Sequence, residues 1–253
     1  MPPSPWPFLD HAGPLAFAHR GGAGDWPENT MPAFEGAVHL GYRYVETDVH
    51  VTSDGVLLAF HDTHLDRVTN LTGPIADLPY REVRHARVDG REPIPLFEDL
   101  LGEFPDLHVN IDPKADGAVA PLAAAIRRHD AVDRVCIGSF SDQRLADLRA
   151  DLGPALCTSL GPRSTARLRA AGRKLPVGRL PGACAQVPHT YKGLTITDER
   201  LVRAAHRRGL QVHVWTIDVT SEMTELLDLG VDGIMTDHPA MLKDVLVARG
   251  EWA

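Results

Sequence analysis

At 253 residues, with 43% hydrophobic and 24% charged side chains, the chain can bury the core of one barrel-sized domain and reads as ordinary globular protein. Its net charge of −8 argues against a non-specific nucleic-acid or anionic-membrane surface, and any anionic substrate must be held by local positive charge. No apolar run approaches the ~18 residues of a membrane span. The first residues, Met1 to Pro7, carry neither a basic segment nor an apolar stretch, so the expectation is a cytoplasmic protein without a secretion signal.

From Leu15 onward, short apolar strands alternate with helical runs, which is the pattern of a parallel sheet covered by helices. Strands are expected at 15–19, 44–50, 108–113, 135–140, 155–160, 183–188, 211–217 and 233–236. Helices are expected at 30–40, 96–103, 118–129, 142–150, 165–171, 198–208 and 222–229. Ser141, Ser164 and Thr197-Asp198 supply start signals, while Gly41, Gly172, Gly209 and Gly230 stand where helices should end. This repetition points to an α/β fold, a (β/α)8 TIM barrel over 1–253 as a single domain, with an open doubly wound sheet as the competing arrangement. Residues 52–95 break the alternation. They hold a hairpin, a Gly73-Pro74 turn and an Arg-rich run at 80–87, and read as a small insertion after the second strand, too short for a core of its own. The proline-rich first dozen residues read as a loosely held lead-in. Cys136, Cys157 and Cys184 are far apart, odd in number and set in apolar runs, so they read as reduced core residues.

The second strand carries the densest chemistry. Val45, Thr47, Val49 and Val51 share one face, and Glu46, Asp48 and His50 share the other. Two carboxylates one strand-repeat apart repel unless a cation lies between them, water solvates them or one is protonated. The Asp54-Gly55 turn then sends the chain back to deliver His61. Other strands also end in polar groups: His19-Arg20, Asn110 with Asp112 and Lys114, Trp215 with Asp218, and Asp237-His238. Each alone has an ordinary structural reading as a hydrogen-bonded histidine, a cap or a packed indole. Their collection at one end of one barrel, where barrel enzymes hold their active sites, is the stronger signal.

With these residues in view, the sequence resembles the glycerophosphodiester phosphodiesterases. The resemblance rests on His19-Arg20-Gly21, Pro27-Glu28-Asn29-Thr30 with Ala33-Phe34, Glu46-Thr47-Asp48-Val49 and Thr52-Ser53-Asp54-Gly55. It continues through His61-Asp62, Asn110-Ile111-Asp112-Pro113-Lys114, Val214-Trp215-Thr216, Gly230-Val231-Asp232-Gly233 and Thr236-Asp237, in the family's order. It implies the barrel, a divalent cation (Mg2+ or Ca2+), and hydrolysis of a small-molecule glycerophosphodiester to sn-glycerol 3-phosphate and an alcohol. Carried over by position, Glu46, Asp48 and Asp112 are metal ligands and His19 and His61 the catalytic acid–base pair. Arg20 and Lys114 contact the phosphate, Trp215 shapes the pocket, and Glu28 supports the inner residues. Asp112 departs from the family's usual Glu by one methylene, as in sphingomyelinase D-like relatives on the same barrel, which bears on metal preference. Two other readings stand beside this one. The first is a lysophospholipase D or sphingomyelinase D-like enzyme, which needs an apolar surface near the pocket; the insertion shows no aromatic cluster to provide it. The second is a non-catalytic barrel that binds glycerol phosphates. The sequence does not set the oligomeric state.

Overall fold

Eight parallel strands carry the alternation in a computed structural model that describes residues 6–252. They are β1 (Leu15–Ala18), β2 (Tyr44–Val51), β3 (His108–Pro113), β4 (Val135–Ile137), β5 (Cys157–Thr158), β6 (Cys184–Pro188), β7 (Gln211–Trp215) and β8 (Gly233–Thr236). Their order is β5-β4-β3-β2-β1-β8-β7-β6. The two ends of that order meet at a single Ser159–Cys184 bridge, so the barrel is nearly closed. Val45, Val49, Val109, Ile111, Val135, Ile137 and Val212 pack outward against helical Leu122, Ile126, Leu145 and Leu226 in the main core. The open doubly wound sheet is therefore ruled out.

Several boundaries differ from expectation. β4 and β5 stop at Ile137 and Thr158, short of the expected 140 and 160; beyond them Ser159 keeps only its single bridge to Cys184, and Ser139, Phe140 and Leu160 line the barrel mouth. A last helix, Pro239–Arg249, lies beyond the expected helical ranges; Pro at its start and Gly250 after its end are its sequence signals. A two-residue-per-strand hairpin, Thr190–Tyr191 with Leu194–Thr195, was also missed.

The lead-in from residue 6 is not loose. Phe8 and Leu9 are buried under the strand starts, where Phe8 meets Tyr44 edge-on at 5.3 Å and the Tyr44 hydroxyl donates to the Phe8 carbonyl at 3.1 Å. The aromatic ring has the area to plug that end, which proline composition does not reveal. Residues 1–5 lie outside the described part. Cys136, Cys157 and Cys184 are free and buried in the layer above this plug, as expected.

The insertion does hold a small core of its own. Leu58, Phe60, Leu65, Ile75, Val83 and Val88 are buried together, because the strand Leu57–Ala59 pairs antiparallel with the projecting end of β2 and gives the loops an apolar face to fold on. Among the described residues no helix is long and apolar enough to cross a membrane.

Candidate active site

The C-terminal strand ends build the site one loop at a time. After β1 the chain turns sharply through His19–Gly21, with Arg20 itself left-handed at φ +52°. A non-glycine residue there is uncommon and marks a backbone held by its surroundings. Gly21, at φ +81°, lies so close to the next helix that an added Cβ would sit 2.7 Å from the Ala33 Cβ. The turn aims the Arg20 guanidinium at Glu28 (3.0 Å) and brings its Nε to 3.3 Å from Asp48 Oδ2, while its backbone N–H donates to Glu46 at 3.2 Å. That buried Nε makes no aligned hydrogen bond, so it retains a donor for another acceptor.

Glu46 and Asp48 both point into the barrel and are buried, and Asp112 stands opposite Asp48 in the β2–β3 register. Burial, then the Asp48 charge, pushes the Glu46 carboxyl well above the usual carboxylate range. Asp48 goes the other way: burial opposes it, but the Lys114 and Arg20 charges outweigh burial and hold it low. Asp112 is raised, since its burial outweighs Lys114. Lys114 Nζ sits between the two aspartates, 2.7 Å from Asp48 and 2.8 Å from Asp112, and their charges hold its pKa up against burial. Asn29 steadies the group, donating to Asp48 at 3.2 Å and accepting from the Thr47 hydroxyl at 2.8 Å. Three carboxylates thus face two fixed cations. The donors are all oxygen, which suits a hard dication over zinc. Among the described residues, however, no three His, Cys, Asp or Glu side chains converge tightly enough to hold an ion as they stand.

Both predicted histidines are tethered through Nδ1 to an aspartate. His19 Nδ1 lies 2.6 Å from Asp237, and its Nε2 is 3.7 Å from Glu46. Burial alone would lower its pKa; the Glu46 charge and the Asp237 bond reverse that and leave it raised. His61 Nδ1 lies 2.5 Å from Asp62, which Arg67 grips in turn while also bonding Glu28 at 2.7 Å. Burial would raise Asp62, but Arg67 and His61 outweigh it and hold it at about 2. His50, on the same face as the carboxylates, donates from Nε2 to the His61 carbonyl at 3.1 Å and fixes that backbone; burial keeps its pKa low. Each catalytic candidate therefore presents Nε2 toward the pocket.

All predicted site residues except Glu28 line one 260 Å³ pocket: His19, His61, Arg20, Glu46, Asp48, Asp112, Lys114 and Trp215. Glu28 stands behind Arg20. On the far side, Trp215 meets Phe140 edge-on at 5.7 Å, and Gln186 donates to Asn110 across the lumen at 2.7 Å. Missed were the roles of Asp237, Asp62, Arg67 and His50. Asp62 beside His61, Asp237 at the end of β8 and His50 on the face of Glu46 and Asp48 each had a signal in the sequence; Arg67 had none.

The family model described as the glycerophosphoryl diester phosphodiesterase family matches residues 19–241. The Mycobacterium tuberculosis protein named Probable glycerophosphodiester phosphodiesterase 2 is 42% identical, over 97% of this chain and 95% of its own. The glycerophosphodiester phosphodiesterase of Caldanaerobacter subterraneus subsp. tengcongensis is 32% identical, over 93% of this chain and 98% of its own. Among solved structures, an Oleispira antarctica phosphodiesterase in complex with the product sn-glycerol-3-phosphate superposes with a TM-score of 0.78 at 22% identity, over 93% and 97% of the two chains; that likeness concerns the fold.

Proposed function

The chain belongs to the glycerophosphoryl diester phosphodiesterase family, and on that premise we propose that it hydrolyses a glycerophosphodiester to sn-glycerol 3-phosphate and an alcohol, with His19 and His61 as acid–base pair. The observation that carries this reading is the pairing of two aspartate-tethered histidines with Arg20, Lys114 and three carboxylates in one pocket.

Arg20, with a donor to spare, and Lys114 suit the non-bridging oxygens of the phosphodiester. His19, held protonated more readily than an ordinary histidine, suits proton donation to the departing alkoxide as the P–O bond breaks. His61, whose Nδ1 is engaged by Asp62, offers Nε2 to take the proton of the attacking hydroxyl. Both tethers fix tautomer and ring orientation before substrate arrives. Glu46, Asp48 and Asp112 are the residues that would hold Mg2+ or Ca2+, and the raised Glu46 is the mark of a buried acid pair that favours added positive charge. When bound, the ion supplies electrostatic stabilisation of charge developing on the phosphoryl group. Lys114 is then relieved of balancing the two aspartates and can turn to the phosphate.

The test is release of glycerol 3-phosphate from glycerophosphocholine and glycerophosphoethanolamine with Mg2+, with Ca2+ and with chelator. Cation-dependent release is expected. Release that chelator does not reduce would remove the metal from this reading, and tight binding without release would turn the site into a sensor.

A further inference from the structure

The charge of the chain is unevenly laid out. Residues 162–208 carry 11 lysines and arginines against two acids, Asp198 and Glu199, a net +9 within a chain of net −8. Part of this surplus gathers on the outside of the barrel, where helix Pro162–Gly172 packs beside helix Glu199–His206. The approach is tight: a Cβ on Gly172 would sit 3.1 Å from the Arg200 carbonyl oxygen. Beside that contact lies a cleft of about 440 Å³ lined by Gly172, Arg173, Lys174, Arg200, Arg203 and Arg207. All five cations are exposed, and no carboxylate lines the cleft. Among the described residues a single carboxylate pairs with any of the five, Glu199 with Arg203 at 2.7 Å.

A basic face has an ordinary structural reading, in which cations at helix C-termini complement the helix dipole. Arg173 and Arg207 fit it. Arg200 does not. It stands in the first turn of its helix, at the positive pole, and repeats with Arg203 and Arg207 at the spacing where like charges repel. Such an array repels itself until anions settle on it. Leu175 adds a second signal: it follows Lys174, is 56% exposed and leads into Pro176, an apolar tip beside the cations.

We propose that this face docks on the anionic surface of a phospholipid bilayer, with lipid phosphates taken up in the cleft and Leu175 dipping between the headgroups. Charge complementarity gives the sign of the occupant, and Leu175 gives its kind: phosphates laid over an apolar interior match cations set beside a leucine. The cleft has no aromatic side chain on which a nucleic-acid base could stack. Both helices run down from the strand ends, so Lys174 and Arg207 lie shortly before the starts of β6 and β7. The docked barrel therefore keeps its mouth turned from the lipid. The net charge of −8 hides this face, because it averages regions of opposite sign. Docking of this kind is independent of the reaction at the mouth.

Vesicle sedimentation of the full chain tests this, in chelator so that no dication bridges protein and lipid. Vesicles of phosphatidylcholine are compared with vesicles of phosphatidylcholine and phosphatidylglycerol in equal parts, at rising salt. Binding to the mixed vesicles alone is expected, and it should weaken as salt rises. Arg200→Gln combined with Arg207→Gln should lower the partition coefficient by roughly 25-fold, at about fivefold per cation. Leu175→Ser should lower it at every salt concentration without changing its salt dependence. All three positions are exposed, so these variants should keep the parent's urea midpoint. Equal binding to both vesicles, or binding to neither, overturns lipid docking. So does binding to mixed vesicles that the paired glutamines leave intact. Tighter binding to polyuridylate than to mixed vesicles gives the face to nucleic acid and overturns it. Salt-sensitive self-association that the paired glutamines abolish, with no vesicle binding, gives the face to a second copy and overturns it too.

Discussion

The two halves of the barrel mouth are made of the same backbone and opposite chemistry. Over β1–β3, every inward residue near the strand end is ionisable or amide: His19, Glu46, Asp48, Asn110, Asp112. Over β4–β6 the mouth instead adjoins an apolar wall of Phe140, Leu160, Val187 and Pro188, beside the inward-facing amide of Gln186. The first half stays folded only because each buried charge has a counter-charge within reach, whereas the second is stabilised by burial that needs no partner. A loss in the charged half should therefore appear in turnover or as a stranded charge.

The largest effects are expected at the histidines. His19→Ala and His61→Ala should each reduce kcat by at least ~100-fold, the low end for a general acid or base. Near-normal single-turnover rates in either variant would remove that residue from the acid–base pair. Next comes Lys114→Met, which strands Asp112 and leaves Asp48 only Arg20 and Asn29. Breaking a buried pair costs about 3 kcal/mol. Urea unfolding should register that loss, and added Mg2+ or Ca2+ should recover part of it by binding the folded state alone. If the cations stabilise neither variant nor parent, the carboxylates are not an ion site.

Asp237→Asn should be milder in kcat, a loss of at least ~10-fold, below the losses seen when the orienting carboxylate of a Ser-His-Asp triad is removed. Its sharper readout is pH. Asp237 helps hold the His19 pKa up, so the variant should move the alkaline limb of the kcat/KM profile to lower pH. A limb that stays put would take His19 out of the proton-donor role. The smallest effect belongs to the clasp. Asp62 is held at about 2, below its ordinary ~3.9, so its contribution to stability is complete above that ordinary value and fades as pH falls toward 2. Arg67→Ala should raise the pH of acid unfolding, and reduce kcat by less than ~10-fold through a looser His61. Unfolding at the parent's pH would show that the exposed side of the clasp adds nothing.

Much of the charged half was legible in the sequence. Glu46 and Asp48 stand two apart on a strand whose other face is valine, and a hairpin turn delivers His61 back to them. Reading the strand ends together was enough to collect Arg20, Asp112 and Lys114. What escaped was pairing at a distance: Asp237 meets His19 across 218 residues, and no local pattern announces it. The apolar half escaped for another reason. Leu160, Ala166, Val187 and Ile196 look like any core positions, and only the tertiary fold sets them side by side at the mouth. The plugged lower end was misread because proline spacing says nothing of where Phe8 will lie.

That plug has a practical consequence. Phe8 closes the barrel at the strand starts, and Trp252 packs on Tyr42 at 5.1 Å just before β2 begins. Both described ends of the chain therefore lie on the side away from His19 and His61. A reporter, an affinity handle or a bead anchored through that side would leave the mouth facing bulk liquid, and single molecules tethered there could be watched through turnover without the support shadowing the pocket.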